Sequence, residues 1–339
     1  MRTVLAVDGG NSKTDVALIA EDGTVLATAR GAAFLPQSVG VPAAIDALHA
    51  AVRQALPHAV SPYADHIAAY VAGADLPVEE DRLTAELLSR GYGRGVVVGN
   101  DTFALLRAGT EATWGAAVVC GAGINAVAVA PDGRVARFPA LGRISGDWGG
   151  GSGLAEEALW HAVRAEDGRG PATALTEVVR GVFGTRTVEE VVIALHFEEL
   201  PTERLHELVA PLLAAAPGDA VARSVVERQA EEIELLGTVA MRRVDLLDAP
   251  CEVVLGGGVL TARDPLLTML VEQRYAASAP LARLVIPDLP PIAGAALLGL
   301  DRLGATPDAH ERVRDHYAGN AGRPRPFPEG AAAYTEGGR

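Results

Sequence analysis

The chain has 339 residues and a formal net charge of −14, and 49% of its residues are hydrophobic but only 4% aromatic. This length and composition allow two lobes with cores built from Ala, Val and Leu, while the negative charge argues against nucleic acid or an anionic membrane as a partner. No secretion signal or membrane-spanning run is found, and the two cysteines, Cys120 and Cys251, are expected to be core thiols, so we expect a cytoplasmic protein.

The first predicted element is a buried strand, Val4–Val7, that ends in an acid and two glycines. A second apolar run, Val16–Ala20, follows closely, so the glycines lie in a hairpin turn and not in a P-loop, which needs a helix after its glycines. Without Cβ atoms the backbone N–H groups can contact an anion, and Asp8 is placed to hold Mg²⁺ through water. The candidate phosphate-binding residues of this first glycine turn are Gly9, Gly10, Asn11, Ser12, Lys13 and Thr14.

Lys13 is the single lysine of the chain, although Lys and Arg together number 29. A compact ammonium group suits phosphate, so its position in the first glycine turn favours a phosphate site. Taken alone, a Gly-Gly hairpin with polar neighbours is also typical of an ordinary surface turn. The other motifs of the chain decide between these two interpretations.

After a third strand, the apolar pattern alternates between helical and extended spacing. This alternation predicts an α/β lobe whose later strands are parallel. Asn100 and Asp101 directly follow the last of these strands. Helices are predicted at 42–56, 79–90 and 103–109, and strands at 67–71 and 95–99.

The opening pattern then begins again. A strand at 116–120 leads into a second glycine turn, residues 121–125, which is followed by a strand at 126–130, an Asp-Gly turn and a strand at 135–138. This internal repeat predicts two related lobes whose glycine turns face each other across a cleft. The turn also matches the dinucleotide fingerprint G-x-G-x-x-A, but a strand and not a helix follows it, which excludes a Rossmann fold.

The remaining chain is mainly helical. A glycine-rich loop at 142–152 precedes these helices, and an apolar strand at 251–255 runs into three glycines, followed later by a strand at 283–286 and a helix at 292–303. The other helices are predicted at 154–165, 172–182, 188–195, 202–215, 220–244 and 263–277.

These motifs, in this order, resemble those of the BadF/BadG/BcrA/BcrD ATPase group, which includes N-acetylglucosamine kinases and belongs to the actin/hexokinase/Hsp70 superfamily. Residues 8–14 look like its first phosphate motif, 121–125 like its second and 255–259 like its adenosine motif. The resemblance covers roughly residues 1–304. It implies an α/β, two-lobed, actin/hexokinase-like (ribonuclease H-like) fold, with a duplicated mixed sheet, flanking helices and an ATP cleft between the lobes.

The resemblance also divides the chain. It implies an N-terminal lobe of residues 1–114 that is completed by a returning helix, 291–304, and a C-terminal lobe of residues 115–290. We expect residues 305–339 to form a flexible tail, since the segment from residue 319 onward is rich in Pro and Arg and has no apolar period.

Individual residues acquire expected roles from the same resemblance. Asp101 matches the catalytic aspartate that takes the proton of the acceptor hydroxyl, and its alternative role is that of N-cap for the following helix. Gly146, Asp147 and Trp148 match a substrate loop. Asp147 is expected to bind sugar hydroxyls or its own backbone, and Trp148 to stack on a sugar or pack on the lobe. Beyond the first glycine turn, the residues expected to bind ATP are Gly121, Gly123, Ile124, Asn125, Gly256, Gly257 and Gly258.

We therefore expect an ATP- and Mg²⁺-dependent kinase that phosphorylates a hydroxyl of a hexosamine such as N-acetylglucosamine or glucosamine. Gln37 is the polar side chain expected to contact the sugar, in the loop where such kinases usually carry an asparagine that does so. The alternatives are a kinase for a cyclitol or a muramic-type sugar, and a non-catalytic nucleotide-gated switch protein. Cys120 and Cys251 do not supply the ligand set of the group's iron–sulfur activators. The resemblance further suggests a homodimer.

Overall fold

The computed structural model describes residues 1–319. Within this part of the chain, ten strands form two five-stranded sheets, one at the centre of each lobe. The strands are β1 (Thr3–Gly9), β2 (Thr14–Ala20), β3 (Val25–Gly31), β4 (Ala64–Val71), β5 (Gly93–Asn100), β6 (Gly115–Cys120), β7 (Ile124–Val129), β8 (Val135–Arg137), β9 (Cys251–Gly256) and β10 (Ala282–Val285).

The two sheets share one strand order. The first is β3-β2-β1-β4-β5, and the second, read from its other edge, is β8-β7-β6-β9-β10. In both, the first strand pairs antiparallel with its hairpin partner (β1 with β2, β6 with β7) and parallel with a later strand (β4 or β9). The predicted duplicated, mixed-sheet α/β fold is confirmed, and the two glycine turns close equivalent hairpins.

Helices connect and cover the sheets. Short 3₁₀ helices span Gly142–Ser145 and Thr202–Leu208. The α-helices within residues 1–319 are α1 (Pro36–Val39), α2 (Val41–Ala55), α3 (Pro77–Ser89), α4 (Asp101–Gly109), α5 (Gly150–Glu166), α6 (Leu175–Phe183), α7 (Val188–His196), α8 (Val209–Ala215), α9 (Ala220–Arg243), α10 (Gly258–Thr261), α11 (Pro265–Ser278), α12 (Pro291–Leu303) and α13 (Pro307–Ala318).

One predicted helix is divided in the structure. The segment 202–215 consists of a 3₁₀ helix followed by α8. Pro211 lies within α8 and has no backbone N–H, so it cannot bond the carbonyl one turn earlier, and the preceding residues close tighter 3₁₀ turns instead. Apolar spacing alone does not distinguish these two kinds of helix.

The strand β1 is covered on both faces. Leu5 and Val7 belong to the core beneath α2, whereas Val4 and Ala6 belong to the core beneath α12 and α13. Successive side chains of a strand point to opposite faces, so a strand buried on both sides is a continuous apolar run. This explains why the run Val4–Val7 contains no polar residue on either face.

The late helix α12 packs on the first sheet. A Cβ atom at Gly294 would lie 1.8 Å from the backbone oxygen of Ala104, so α12 and α4 approach each other backbone to backbone. Ala293 and Ala296 are fully buried beside it. The run of small residues at the start of α12 therefore serves close helix packing.

Part of the predicted flexible tail is a helix. Within the predicted tail, 305–339, Pro307–Ala318 forms α13, and Ala309, Val313 and Tyr317 bury one face of it against the first lobe. The prediction was wrong for these residues because the spacing of four between a few apolar side chains is hidden among many charged ones. The rest of the predicted tail, from residue 320, lies outside the described residues.

No single helix among residues 1–319 is long and apolar enough to cross a membrane. One bent pair, Thr202–Ala215 with Ala220–Arg243 at 104°, meets the criteria of length and composition when taken together.

Candidate active site

The first glycine turn connects β1 and β2 as a hairpin, as predicted. The backbone N–H of Gly10 donates to the carbonyl of Lys13 at 2.8 Å, and Gly9 is paired with Thr14 at the base of the turn. Asn11 and Ser12 are exposed at its tip. The hydroxyl of Thr14, in contrast, is buried and donates to the carbonyl of Ala32 at 2.6 Å. Thr14 thus holds the base of the hairpin, and its hydroxyl does not face the tip.

Lys13 is part of a charged cluster at this turn. Its Nζ lies 2.5 Å from Oδ2 of Asp15, and Arg30 contacts the same carboxylate through Nε at 2.6 Å and Nη2 at 2.9 Å. Burial alone would raise the pKa of Asp15, but the hydrogen bonds from Arg30 and Lys13 outweigh it and lower the pKa. Because Arg30 already neutralises Asp15, the ammonium of Lys13 is available to a second anion near the turn.

Asp8 is the second-last residue of β1 and is buried, with 8% of its surface exposed. Burial raises its pKa to about 7, the charges of Asp101 and Asp15 add to this, and Lys13 opposes it. Among residues 1–319, no cluster of three or more His, Cys, Asp or Glu side chains could hold a metal ion unaided. Magnesium commonly uses one or two carboxylates together with water and substrate phosphates, so the single buried carboxylate of Asp8 fits that cation.

The second glycine turn connects β6 and β7. The N–H of Gly121 donates to the carbonyl of Gly123 at 2.9 Å, and the first turn of α5 packs beneath, with Gly151 N–H bonded to the Gly121 carbonyl at 2.7 Å. Gly123 is exposed, whereas the side chain of Ile124 is buried in the core of the second lobe. The exposed backbone of Gly123 is therefore the part of this turn most accessible to a ligand.

The three glycines after β9 lie against the second glycine turn. Gly257 has φ +88°, and a Cβ atom there would lie 2.4 Å from the carbonyl of Cys120, while Gly256 is buried against Leu105. Only glycine fits this backbone-to-backbone approach. Gly258 is exposed and opens α10. The predicted adenosine turn and second phosphate turn are thus in contact, as binding of one nucleotide across both requires.

Asn100, and not Asp101, caps helix α4. Its Oδ1 accepts hydrogen bonds from the backbone N–H of Thr102 at 3.1 Å and from the Thr102 hydroxyl at 2.6 Å. The alternative role of Asp101 as the cap is therefore wrong, and its carboxylate is left for other chemistry. Burial raises the pKa of Asp101 to about 6, partly offset by backbone hydrogen bonds. A carboxylate with a pKa close to neutral suits a general base.

Asp75 is a site residue that the sequence analysis did not select. Its Oδ1 accepts a hydrogen bond from Nδ2 of Asn100 at 2.8 Å and lies 3.5 Å from Nδ2 of Asn125, which reaches across from the second lobe. Asp75 follows β4, the strand between β1 and β5 in the first sheet. The carboxyl ends of neighbouring parallel strands meet at one edge of a sheet, and this rule could have placed Asp75 beside Asp101.

The predicted substrate loop is mostly ordered by its own contacts. Gly146 adopts φ +92°, and Oδ2 of Asp147 accepts hydrogen bonds from the N–H of Gly142 at 2.9 Å and from the hydroxyl of Ser145 at 2.8 Å. The ring of Trp148 is buried, with the Arg228 guanidinium 4.2 Å from its centroid. Its packing on the lobe matches the second of the two predicted roles.

A cavity of about 320 Å³ brings several of these segments together. It joins the tip of the first glycine turn, the second glycine turn and the loop before α5, so both lobes line it. Gln37 does not line this cavity: it is exposed on α1, and its amide donates to the carbonyl of Gly73 at 3.0 Å. Among the residues that line it are Asn11, Gly123, Ile124, Asp147, Trp148 and Ser152.

Two lobes with the same mixed sheet, each presenting a glycine turn to a shared cavity, define an ATP-using protein of the actin/hexokinase-like class. The match extends to one family within it. The chain belongs to the BadF/BadG/BcrA/BcrD ATPase family, whose model matches residues 5–299.

Relatives of known name share most of the chain. It is 24% identical to the N-acetyl-D-glucosamine kinase of Dictyostelium discoideum, over 88% of this chain and 97% of that protein. It is also 24% identical to the N-acetylmuramic acid/N-acetylglucosamine kinase of Clostridium acetobutylicum, over 56% of this chain and 62% of that one. A candidate N-acetylglucosamine kinase from Chromobacterium violaceum superposes with a TM-score of 0.70 at 25% identity, over 88% of this chain and 99% of that chain. A ROK family glucokinase from Streptomyces griseus, 18% identical with a TM-score of 0.58 over the same shares, has the same fold.

Proposed function

We propose that this protein is an ATP-dependent kinase that phosphorylates a hydroxyl group of a hexosamine, such as N-acetylglucosamine or glucosamine. The observation that carries the proposal is that glycine turns of both lobes line one cavity. Asp101 lies close enough to Asp8, beside the first of these turns, for their charges to interact, and its carboxylate is not used as a helix cap. The relatives named as N-acetylglucosamine kinases support the choice of acceptor.

The described residues divide the reaction between them. The two glycine turns and the turn at 256–258 bind ATP, with Lys13 on its phosphates. Asp8 would hold Mg²⁺, which neutralises charge on the phosphates when bound. Asp101 accepts the proton of the sugar hydroxyl that attacks. The oxygen of that hydroxyl bonds to the γ-phosphorus, and the bond between that phosphorus and the ADP oxygen breaks. Positioning by the two lobes supplies the remaining acceleration.

A muramic-type sugar is the second candidate acceptor. One relative is named for both N-acetylmuramic acid and N-acetylglucosamine, and the chain covers 62% of it. The test below also distinguishes a cyclitol kinase and a nucleotide-gated switch protein from a hexosamine kinase.

The test measures ADP release with Mg²⁺-ATP and a panel of acceptors: N-acetylglucosamine, glucosamine, glucose, N-acetylmuramic acid and a cyclitol. We expect ADP release to depend on the acceptor and to be fastest with a hexosamine, and phosphorylated sugar to accumulate in equal amount. ADP release that no acceptor accelerates would identify a switch protein and contradict the kinase proposal. ADP release that only the cyclitol accelerates would show that the acceptor is a cyclitol and not a hexosamine.

The expected homodimer and cytoplasmic location are also proposals. The family resemblance supports the dimer, and the burial of both cysteines as free thiols supports a reducing compartment. Light scattering of the full chain at several concentrations would test the dimer, and a mass that stays at the 35.0 kDa of one chain would exclude it.

A further inference from the structure

Asp75 is a carboxyl group in the cleft that the proposed mechanism does not use. The first sheet presents three neighbouring strand ends there, and each leads to an aspartate: β1 to Asp8, β4 to Asp75 and β5 to Asp101. Asp8 and Asp101 have roles in metal binding and proton transfer. Asp75 is half-buried between Asn100 of the first lobe and Asn125 of the second, and it is close enough to Asp101 for their charges to interact.

Three of the four polar groups of Asp75 are held by protein partners. Its N–H donates to Oε2 of Glu79 at 3.0 Å, and its carbonyl accepts from Nη2 of Arg137 on the second lobe. Oδ1 accepts from Asn100, with Asn125 also within 3.5 Å. No residue in the described part of the chain bonds to Oδ2. The side chain is therefore fixed from both lobes with one oxygen left for a ligand.

The surroundings of Asp75 favour its neutral form. Burial raises its pKa to about 8, with the charges of Asp101 and Glu79 adding to the effect, while Arg137 and the hydrogen bond from Asn100 oppose it. Both amide donors approach Oδ1, so in the neutral form Oδ2 is the oxygen that would carry the proton. A neutral carboxyl with this arrangement is a hydrogen-bond donor pointing away from its protein partners.

We propose that Asp75 is a substrate-binding residue, whose Oδ2–H donates a hydrogen bond to a second oxygen substituent of the acceptor sugar while Asp101 takes the proton of the hydroxyl that is phosphorylated. This rests on the proposed function, and it narrows the acceptor to a ring with another hydroxyl within reach of the attacked one. A buried donor without a partner is unfavourable, so a ring that lacks this hydroxyl binds poorly. Asp75 thereby selects for polyhydroxylated rings.

The first experiment compares the wild type and Asp75→Ala on the best hexosamine and on its single deoxy analogues. We expect Asp75→Ala to lower kcat/KM about 10- to 100-fold on the parent sugar, mainly through the sugar KM, with the ATP KM unchanged. On one deoxy analogue the two proteins should differ less than about threefold, because the hydroxyl that Asp75 contacts is already missing. Sugar affinity measured by calorimetry without ATP should follow the same pattern.

A purely structural role gives a different result. If Asp75 only holds Asn100 in place, Asp75→Ala lowers kcat/KM by the same factor on every analogue, and that outcome overturns the proposal. Asp81→Asn is the control, since Asp81 is an exposed carboxylate on α3, the helix that begins two residues after Asp75. We expect wild-type kinetics on all sugars for this control.

Asp75→Asn tests the neutral donor itself. Asparagine keeps the acceptor oxygen for Asn100 and presents an N–H₂ group in place of Oδ2–H. We expect its kcat/KM at pH 7 to stay within about threefold of the wild type, and the wild-type decline above about pH 8 to disappear. An Asp75→Asn variant as weak as Asp75→Ala overturns the donor assignment. A wild type that phosphorylates no sugar refutes the kinase proposal and this inference together, whereas an active wild type with equal losses on all analogues refutes this inference alone.

Discussion

The two lobes have one sheet topology but contribute different chemistry to the site. At the ends of β1, β4 and β5 the first lobe carries Asp8, Asp75 and Asp101, and burial raises the pKa of all three. At the equivalent ends of β6 and β9 the second lobe carries the glycine turns at 121–125 and 256–258, which touch backbone to backbone. In the proposed mechanism, proton and metal chemistry therefore belong to the first lobe, and close backbone packing around the nucleotide belongs to the second.

This difference implies two kinds of sensitivity. Asp8 and Asp101 are proposed to act as ionised carboxylates, so an isosteric amide at either position should abolish its chemistry and leave folding intact. A site made of glycines depends on space, so a single added methyl group should disturb both folding and nucleotide binding. The substitutions below test each half of this comparison.

Asp101→Asn should have the largest effect on catalysis. We expect kcat to fall roughly 10²- to 10⁴-fold, the usual contribution of a positioned general base. The ATP KM and the melting temperature should stay close to those of the wild type, because Asn100 and not Asp101 caps α4. Steady-state kinetics and thermal unfolding of the purified variant check both expectations.

Asn100→Ala provides the contrasting control for that result. It removes the cap of α4 and a partner of Asp75, so we expect a loss of stability of about 1 kcal/mol. Asp101→Asn should cause no such loss. An active Asp101→Asn enzyme would remove this residue from the mechanism and place the chemistry elsewhere in the first lobe.

Gly257→Ala tests the second lobe. The new Cβ atom would meet the carbonyl of Cys120 at 2.4 Å, and φ is +88°, so we expect destabilisation by roughly 2–4 kcal/mol. The turn must also shift, which should lower kcat/KM for ATP by about 10²-fold. Gly258→Ala is the matched control, because no atom lies within 4 Å of its added Cβ. Equal stability of the two variants would contradict the packing argument.

Lys13→Ala tests the one charged group expected on the phosphates. We expect the ATP KM to rise about tenfold or more through loss of a charge-assisted hydrogen bond, with the sugar KM changed less. Folding should be unaffected, because Arg30 still pairs with Asp15. Lys13→Arg should restore binding only in part, since a guanidinium is bulkier than an ammonium. A wild-type ATP KM in the alanine variant would return Lys13 to the role of a surface residue.

The pH dependence of activity should report the carboxylates of the first lobe. Asp101 must be ionised to accept a proton, and its pKa of about 6 means that lowering the pH through 6 protonates it. With Mg²⁺-ATP saturating, we expect kcat/KM for the sugar to fall by about tenfold per pH unit well below that value. A profile that is flat between pH 5 and 7 would contradict the assignment of Asp101 as base.

The fold could be predicted from the sequence because its signals are local. The buried run before Asp8, the Gly-Gly hairpin and the repeat of the same pattern at residue 116 each depend on a few neighbouring residues. The two errors in the predicted secondary structure arose where the apolar spacing alone did not determine the type or the presence of a helix. Pro211 divided one helix, and α13 is held by apolar residues too sparse to stand out among its charges.

The site residues expected from the sequence are those that lie within a motif. Asp8, the glycine turns and Asp101 lie within recognisable patterns, whereas Asp75 acquires its environment from Asn100 and from the second lobe. The sequence does not show which residues of the two lobes come into contact. The same limit explains Thr14, whose hydroxyl turns inward to a carbonyl that is distant along the chain.

Trp148→Phe should have the smallest effect, and it tests whether the ring of Trp148 only packs on the second lobe or also contacts the sugar. The indole is buried in the second core, stacks on Arg228 and donates weakly to Glu157 at 3.4 Å. Phenylalanine keeps most of the packing and the contact with the guanidinium, so we expect a loss of stability of about 1 kcal/mol. The sugar KM should change less than about twofold, because the ring is only 7% exposed and one of its faces is covered by Arg228. A rise in sugar KM of tenfold without a change in melting temperature would show instead that the ring contacts the acceptor, and the second lobe would then take part in reading the sugar as well as in binding the nucleotide.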